Sequence, residues 1–278
     1  MTQRAKAEAF HALHHQPGAF VMPNAWDVGS ARMLAGLGFQ ALATTSAGFA
    51  FSQGNADRVG VTGRAAALAH SADLVSATDL PVSADLEDGF GPAPATVAET
   101  VRLAAEVGLV GCTIEDVTAD RDAPIFPFDA AVARIEAAVS AARALDIRFT
   151  LTARAENFLH GRSDLDDTIR RLQAFEAAGA DCLYAPGLPD MEAIRAVASA
   201  VTKPLNVVIG IRPKGLGVAA LAAAGVSRIS LGSSLARRAY GAGIEAVREI
   251  LRDGTFRGAE QGAPFAEIEA LLKAGRPA

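Results

Sequence analysis

The chain has 278 residues, half of them hydrophobic but only 6% aromatic, with two cysteines. That length is close to the roughly 250 residues of one large α/β domain, and no shift in composition marks a second, so residues 1–278 read as a single domain. The net charge of -5, from 31 acidic and 26 basic side chains, provides no broad basic field. This argues against nucleic-acid and membrane partners and leaves room for a small anionic substrate bound locally.

The N-terminal stretch MTQRAKAEAFHALHHQPG lacks the continuous apolar core of a signal peptide, and no run approaches the about 20 apolar residues of a membrane span. Cys112 and Cys182 each lie in an apolar stretch and read as reduced core thiols, which suits a cytoplasmic protein. His11, His14 and His15 fall on the first predicted helix with no carboxylate set beside them, so an exposed polar helix is expected there rather than a metal site.

One phrase then recurs: an Ala-rich helical stretch, a Gly at its end, and a short β-prone run. The helix ends read LAGLGF at Leu34 to Phe39, AAEVGL at Ala104 to Leu109, EAAGAD at Glu176 to Asp181 and LAAAGV at Leu221 to Val226. In each, glycine can take the left-handed conformation that stops a helix. The strand candidates are Ala19–Pro23, Ala41–Thr45, Val82–Leu86, Gly111–Glu115, Arg148–Ala153, Cys182–Ala185, Leu205–Ile209 and Arg228–Leu231, eight in all. Alternating strands and helices imply parallel pairing, and eight short buried strands favour a closed (β/α)8 TIM barrel. No nucleotide-binding glycine motif follows the first strand. Residues from about 241 to 278 form a helical extension beyond what a barrel needs.

In such a barrel the chemistry sits at the C-terminal ends of the strands. There the third strand candidate ends in Asp85-Leu86-Glu87-Asp88-Gly89 and the fourth in Glu115-Asp116. Converging carboxylates raise one another's pKa unless a cation neutralises them, and oxygen ligands without His or Cys select Mg2+, with Mn2+ the alternative. Asp85 and Glu87 would point the same way if the strand persists that far. The competing expectation is that these acids cap helices and decorate a loop.

Arg154, at the end of strand five, can grip a substrate carboxylate or pair with Glu115 or Glu156. Thr44-Thr45-Ser46-Ala47-Gly48 could cradle an anionic oxygen, and Asn206 needs a polar partner inside an apolar run. Gly232-Ser233-Ser234 reads first as a helix cap and second as a phosphate site.

Taken together, PGAFVMPNAWDVGSARML, ATTSAGFAFSQGNAD, PVSADLEDGFG, GCTIED, LTARAENF and AGADCLYAPG resemble, in order and spacing, the isocitrate lyase and phosphoenolpyruvate mutase superfamily over residues 18 to 240. The resemblance implies a barrel whose final helix is exchanged between subunits of a homo-oligomer, a dimer or tetramer. It also implies Asp85 as the direct Mg2+ ligand, with Asp57, Glu87 and Glu115 holding the ion through waters. Arg154 would bind the substrate carboxylate, Thr45 and Ser46 would receive the 2-oxo-acid end, and Asn206 would match the family's strand-seven asparagine. With Arg154 and Glu115 as catalytic groups, the implied activity is Mg-dependent cleavage of a C–C bond in a small 2-oxo or 2-hydroxy acid, through an enolpyruvate-like intermediate. A phosphonomutase-like C–P bond enzyme and a non-catalytic barrel retaining metal and carboxylate binding are the alternatives.

The chain departs from the family after strand four. Lyases there carry a catalytic Cys in a Lys-Lys/Arg-Cys-Gly-His segment. Residues 117–127, VTADRDAPIFP, contain no Cys, His or Lys. Arg121 or Asp122 could enter the site from this loop.

Overall fold

A computed structural model describes residues 1–57, 60–211 and 214–277. In chain order its elements are α1 (Gln3–Leu13), β1 (Phe20–Met22), β2 (Asn24–Ala25), α2 (Val28–Gly36), β3 (Leu42–Thr44), α3 (Ser46–Ser52), α4 (Arg64–Ala77) and β4 (Val82–Asp85). There follow α5 (Pro94–Glu106), β5 (Gly111–Glu115), α6 (Phe128–Arg143), β6 (Thr150–Arg154), α7 (Leu165–Ala177), β7 (Cys182–Tyr184) and α8 (Met191–Ala200). The chain ends with β8 (Leu205–Val208), α9 (Val218–Ala223), β9 (Arg228–Ser230), α10 (Ser234–Asp253) and α11 (Phe265–Ala274).

Among the described residues these nine strands pair only in parallel, and the sheet runs β1-β9-β8-β7-β6-β5-β4-β3-β2. The nine strands make an eight-position barrel because β1 and β2 are two halves of the first predicted strand, parted at Pro23. The first half pairs with β9 (Val21 opposite Ile229) and the second with β3 (Asn24 opposite Ala43). Asn24 fastens the seam: its Oδ1 accepts from the backbone of Leu231 (3.0 Å) and Gly232 (2.8 Å), and its Nδ2 donates to the Thr44 carbonyl at 2.7 Å.

The four glycines expected to end helices all take positive φ: 91° at Gly38, 94° at Gly108, 100° at Gly179 and 90° at Gly225. There the absence of a Cβ removes the steric penalty of the left-handed region. Between strands and helices lies a core rich in Ala, Leu and Val, with Ile114, Leu151, Phe149 and Phe175 fully enclosed. Both cysteines are buried and free.

Three local expectations are corrected. Helix α1 closes the bottom of the barrel, and His14 is buried rather than exposed. Its Nδ1 meets the Phe10 carbonyl (2.8 Å), its Nε2 meets Arg228 (3.1 Å), and burial holds its pKa down to about 3. Neutral His14 therefore accepts from the guanidinium, a pairing no local spacing reveals. Strand β6 starts later than expected and reaches Arg154. Ser233 precedes α10 without a side-chain cap; the hydroxyl of Ser234 instead donates to the Ile209 carbonyl at 2.9 Å.

Helix α10 is amphipathic, yet only Ala236 is buried; Tyr240, Ile244, Val247 and Leu251 lie exposed. Helix α11 returns to pack on α2, where Gly36 and Gly275 leave no room for a Cβ. Among the described residues, no helix is long and apolar enough to cross a membrane.

Candidate active site

The strand ends open into a cleft with two compartments. The inner one, about 150 Å3, is lined by Thr45, Ser46, Asp85, Arg154, Tyr184 and Asn206 among others. The outer one, about 610 Å3, is lined by Asp57, Glu87, Glu115 and Glu156 and by the loop from Val117 to Pro124. Ser46, Asp57, Arg154 and Leu159 border both.

Asp85 ends β4 because the next residues turn away. Its Oδ2 accepts from the backbone (3.2 Å) and hydroxyl (2.8 Å) of Ser46, its Oδ1 from Thr113 (3.2 Å) and Arg154 (3.0 Å). Glu87 does not reach the cleft by strand alternation, since the strand stops at Asp85. It is delivered by a turn in which Glu87 itself has φ +48° and Phe90 φ +63°. Left-handed backbone at non-glycine residues costs free energy, so the turn must be held from outside. Buried Arg134 on α6 does this, donating to the carbonyls of Asp88 and Gly91 while its guanidinium lies 4.2 Å from the Phe126 ring. Glu87 Oε2 in turn accepts from the Gly60 backbone at 3.3 Å.

Arg154 is fully engaged. Its Nη1 pairs with Asp85 (3.0 Å) and Glu115 (2.9 Å), its Nη2 with Glu156 (2.9 Å), and its guanidinium carbon stands 4.9 Å from the Tyr184 ring centre. One cation thus serves three carboxylates. Burial, followed by repulsion from Asp85, raises Glu87 to about 7. Burial raises Glu156 to about 7 and Glu115 well above the ordinary range, in both cases against the attraction of Arg154. Asp57, on the exposed rim, is also raised, by desolvation and by Asp85.

Asp116, adjacent to Glu115 in sequence, belongs to the frame rather than the mouth. Its Oδ1 accepts from the Glu156 backbone (2.8 Å) and its Oδ2 pairs with Arg171 on α7 (2.9 Å). Asn157 likewise faces the frame, donating to Asp167 at 2.8 Å. Thr45 caps α3 by accepting from the Gly48 backbone at 3.2 Å. Asn206 lies deeper, donating to Ser230 (3.0 Å) and accepting from Arg228 (2.8 Å). The loop after β5 brings Arg121 to the outer compartment, where Asp122 is not among the lining residues. Leu159 and His160, from the turn after β6, line the same compartment. Sequence reading missed these two because they follow the strand end by several residues.

The donor set suits a hydrated hard cation better than a closed cage. Among the described residues, no group of three or more His, Cys, Asp or Glu side chains is placed to hold a metal ion. The accumulated buried acid, with one Arg among it, is nonetheless the environment a divalent ion relieves. Mg2+ characteristically keeps several waters and takes only one or two carboxylates directly.

The family model described as phosphoenolpyruvate phosphomutase matches residues 10–251. A solved candidate lyase/mutase from Burkholderia cenocepacia J2315 is 58% identical, with a TM-score of 0.93 over 96% of this chain and 95% of that one. The structure of 2,3-dimethylmalate lyase, a PEP mutase/isocitrate lyase superfamily member, is 27% identical, with a TM-score of 0.83 over 96% of this chain and 94% of that one. An oxaloacetate decarboxylase from Bradyrhizobium diazoefficiens is 30% identical over 203 residues, 71% of this chain and 65% of the relative. The barrel, the acid-lined mouth and these matches agree, and the chain belongs to the phosphoenolpyruvate phosphomutase family of the PEP mutase/isocitrate lyase superfamily.

Proposed function

We propose that the protein is a Mg-dependent lyase that cleaves a C–C bond in a small 2-oxo or 2-hydroxy carboxylic acid, passing through an enolpyruvate-like intermediate. The observation that carries this reading is the meeting of Asp85, Ser46 and Arg154 at the boundary of the two compartments, beside Glu115. Asp85 would hold Mg2+ directly, with Asp57, Glu87 and Glu115 acting through waters. When bound, the ion offsets negative charge on substrate oxygens.

The chain's own groups do the rest. Arg154 orients the substrate carboxylate, exchanging part of its hold on Asp85 and Glu115 for it. Ser46 and Thr45 offer an amide and hydroxyls to the oxo-acid end, and Asn206 fixes the polar floor beneath. Glu115, pushed up by burial against the pull of Arg154, stands beside that guanidinium as the group to exchange a proton as charge develops. A decarboxylase acting on the same class of acid would use the same groups. The match to the phosphomutase family model favours a second reading, in which a C–P bond is broken or formed.

The chain is further inferred to form one barrel domain, 1–278, with about 241–278 as a C-terminal helical extension; because α11 packs on α2 of its own chain, α10 is the helix available for exchange between subunits of a cytoplasmic homo-oligomer. The bare apolar face of α10 supports the exchange. Thermal unfolding of metal-stripped protein tests the site, because a ligand that binds only the native state raises the midpoint. Mg2+ and oxalate together are expected to raise it by more than the sum of their separate effects. No shift with the pair would defeat the proposed site; release of phosphate or phosphonate in place of pyruvate or glyoxylate would favour the second reading.

A further inference from the structure

Strand register sets Arg154, Tyr184, Asn206 and Arg228 side by side on β6, β7, β8 and β9, and all four line the inner compartment. The two arginines have opposite surroundings. Arg154 serves three carboxylates. Arg228, only 1% exposed, meets neutral acceptors alone: Asn206 Oδ1 (2.8 Å), His14 Nε2 (3.1 Å) and the Thr152 hydroxyl (3.0 Å). Among the described residues it makes no ion pair. Burying a cation without an anion is costly, and these bonds satisfy its N–H groups without cancelling its charge.

A guanidinium can only donate, so the direction of each bond is fixed. Asn206 must turn its oxygen toward Arg228, and its Nδ2 then donates to Ser230 at 3.0 Å. An amide carries two N–H groups, and the second has no acceptor among the described residues. Asn206 therefore offers the compartment a donor and no acceptor.

We propose that Arg228 is a positioning residue that makes the inner compartment favour an enolate over the neutral oxo group from which it forms. This rests on the reading of that compartment as the site of the oxo-acid end. As the enolate forms, that end gains a second negative charge, and a positive charge fixed beforehand in a buried site stabilises the charged state more. The charge of Arg154 is already shared among Asp85, Glu115 and Glu156, whereas that of Arg228 is not. By holding the Asn206 oxygen, Arg228 also keeps the amide N–H available to the developing oxyanion.

Oxalate reproduces the enolate with its two negative charges, and oxamate, with a neutral amide in place of one carboxylate, reproduces the oxo acid. Calorimetry with each in the presence of Mg2+ gives the ratio of their affinities. Arg228→Met is expected to narrow the preference for oxalate about tenfold, the scale of one charge acting over several ångströms at an effective dielectric constant of about 20. Arg228→Lys keeps the charge and should keep the ratio even where both affinities fall. Asn206→Asp preserves shape, pairs Arg228 internally and should narrow the ratio as Arg228→Met does; it decides the matter where Arg228→Met does not fold. A purely structural arginine would change both affinities alike. An unchanged ratio in either folded neutralising variant, or a ratio lost equally in Arg228→Lys, overturns the proposal while oxalate binding still upholds the inner site. Absence of Mg-dependent oxalate binding in the unmodified protein overturns the inner reading, and this one with it.

Discussion

Replacing Asp85 with Ala should remove ligand binding at almost no cost in stability, although four hydrogen bonds end on its carboxylate. Taken alone, those bonds would be worth about 0.5–1.5 kcal/mol each, with more for the charged one. Two terms oppose that loss. Arg154 keeps Glu115 and Glu156, so no buried charge is left unpaired. Asp85 also contributes repulsion that raises Asp57, Glu87, Glu115 and Glu156, and its removal relieves all four. We therefore expect a change within about 1 kcal/mol, well below the about 3–5 kcal/mol of breaking a buried ion pair. Urea denaturation of metal-free protein at neutral pH gives that number, and calorimetry with Mg2+ and oxalate gives the binding loss. A destabilisation above about 3 kcal/mol would show that Asp85 is a structural partner of Arg154. Unchanged Mg2+ affinity would remove it from the metal site.

Asp116→Ala should behave in the opposite way, costing about 3 kcal/mol because Arg171 and the Glu156 backbone both lose a buried acceptor. A urea midpoint equal to that of the unmodified protein would contradict its role in the frame. Glu87 and Glu156, raised by burial to about 7, hold protons in the folded chain that ordinary glutamates in the unfolded chain release near 4.5. Metal-free stability should therefore fall as pH rises from about 4.5 through 7, and saturating Mg2+ should flatten that slope; urea midpoints across this range, rising with pH, would refute it. Gly38→Ala, with open space around the new Cβ, should cost about 1–2 kcal/mol for backbone alone. Gly108→Ala should cost more, because its Cβ would meet Val75 Cγ1 at 2.8 Å; equal melting temperatures for the two would refute the packing argument. Ile244→Asp with Val247→Asp should convert an oligomer to monomers in sedimentation experiments, and an unchanged mass would show that the α10 face is not the interface.

The eight strands, the four helix-ending glycines and the acids at the strand ends were legible because they follow from local rules. A strand needs a short apolar run, a left-handed helix end needs glycine, and the last strand residue falls at the barrel mouth. Asp85, Glu115, Arg154 and Ser46 were reachable in this way. Neighbouring positions were not. Glu115 and Asp116 look equivalent in sequence, yet one faces the cleft and the other takes Arg171 from α7, because side chains alternate across a strand and their partners come from distant segments. Glu87 points inward only because Arg134, 47 positions on, holds a backbone that a glutamate would not adopt by itself. His14 meets Arg228 across 214 positions, and Arg121 and His160 line one cleft only once the barrel is closed. The sequence alone determined the periodicity, the helix stops and the kinds of chemistry available. Which carboxylates share Arg154 was decided by the tertiary structure, because charge pairing depends on distances of a few ångströms between segments far apart in the chain.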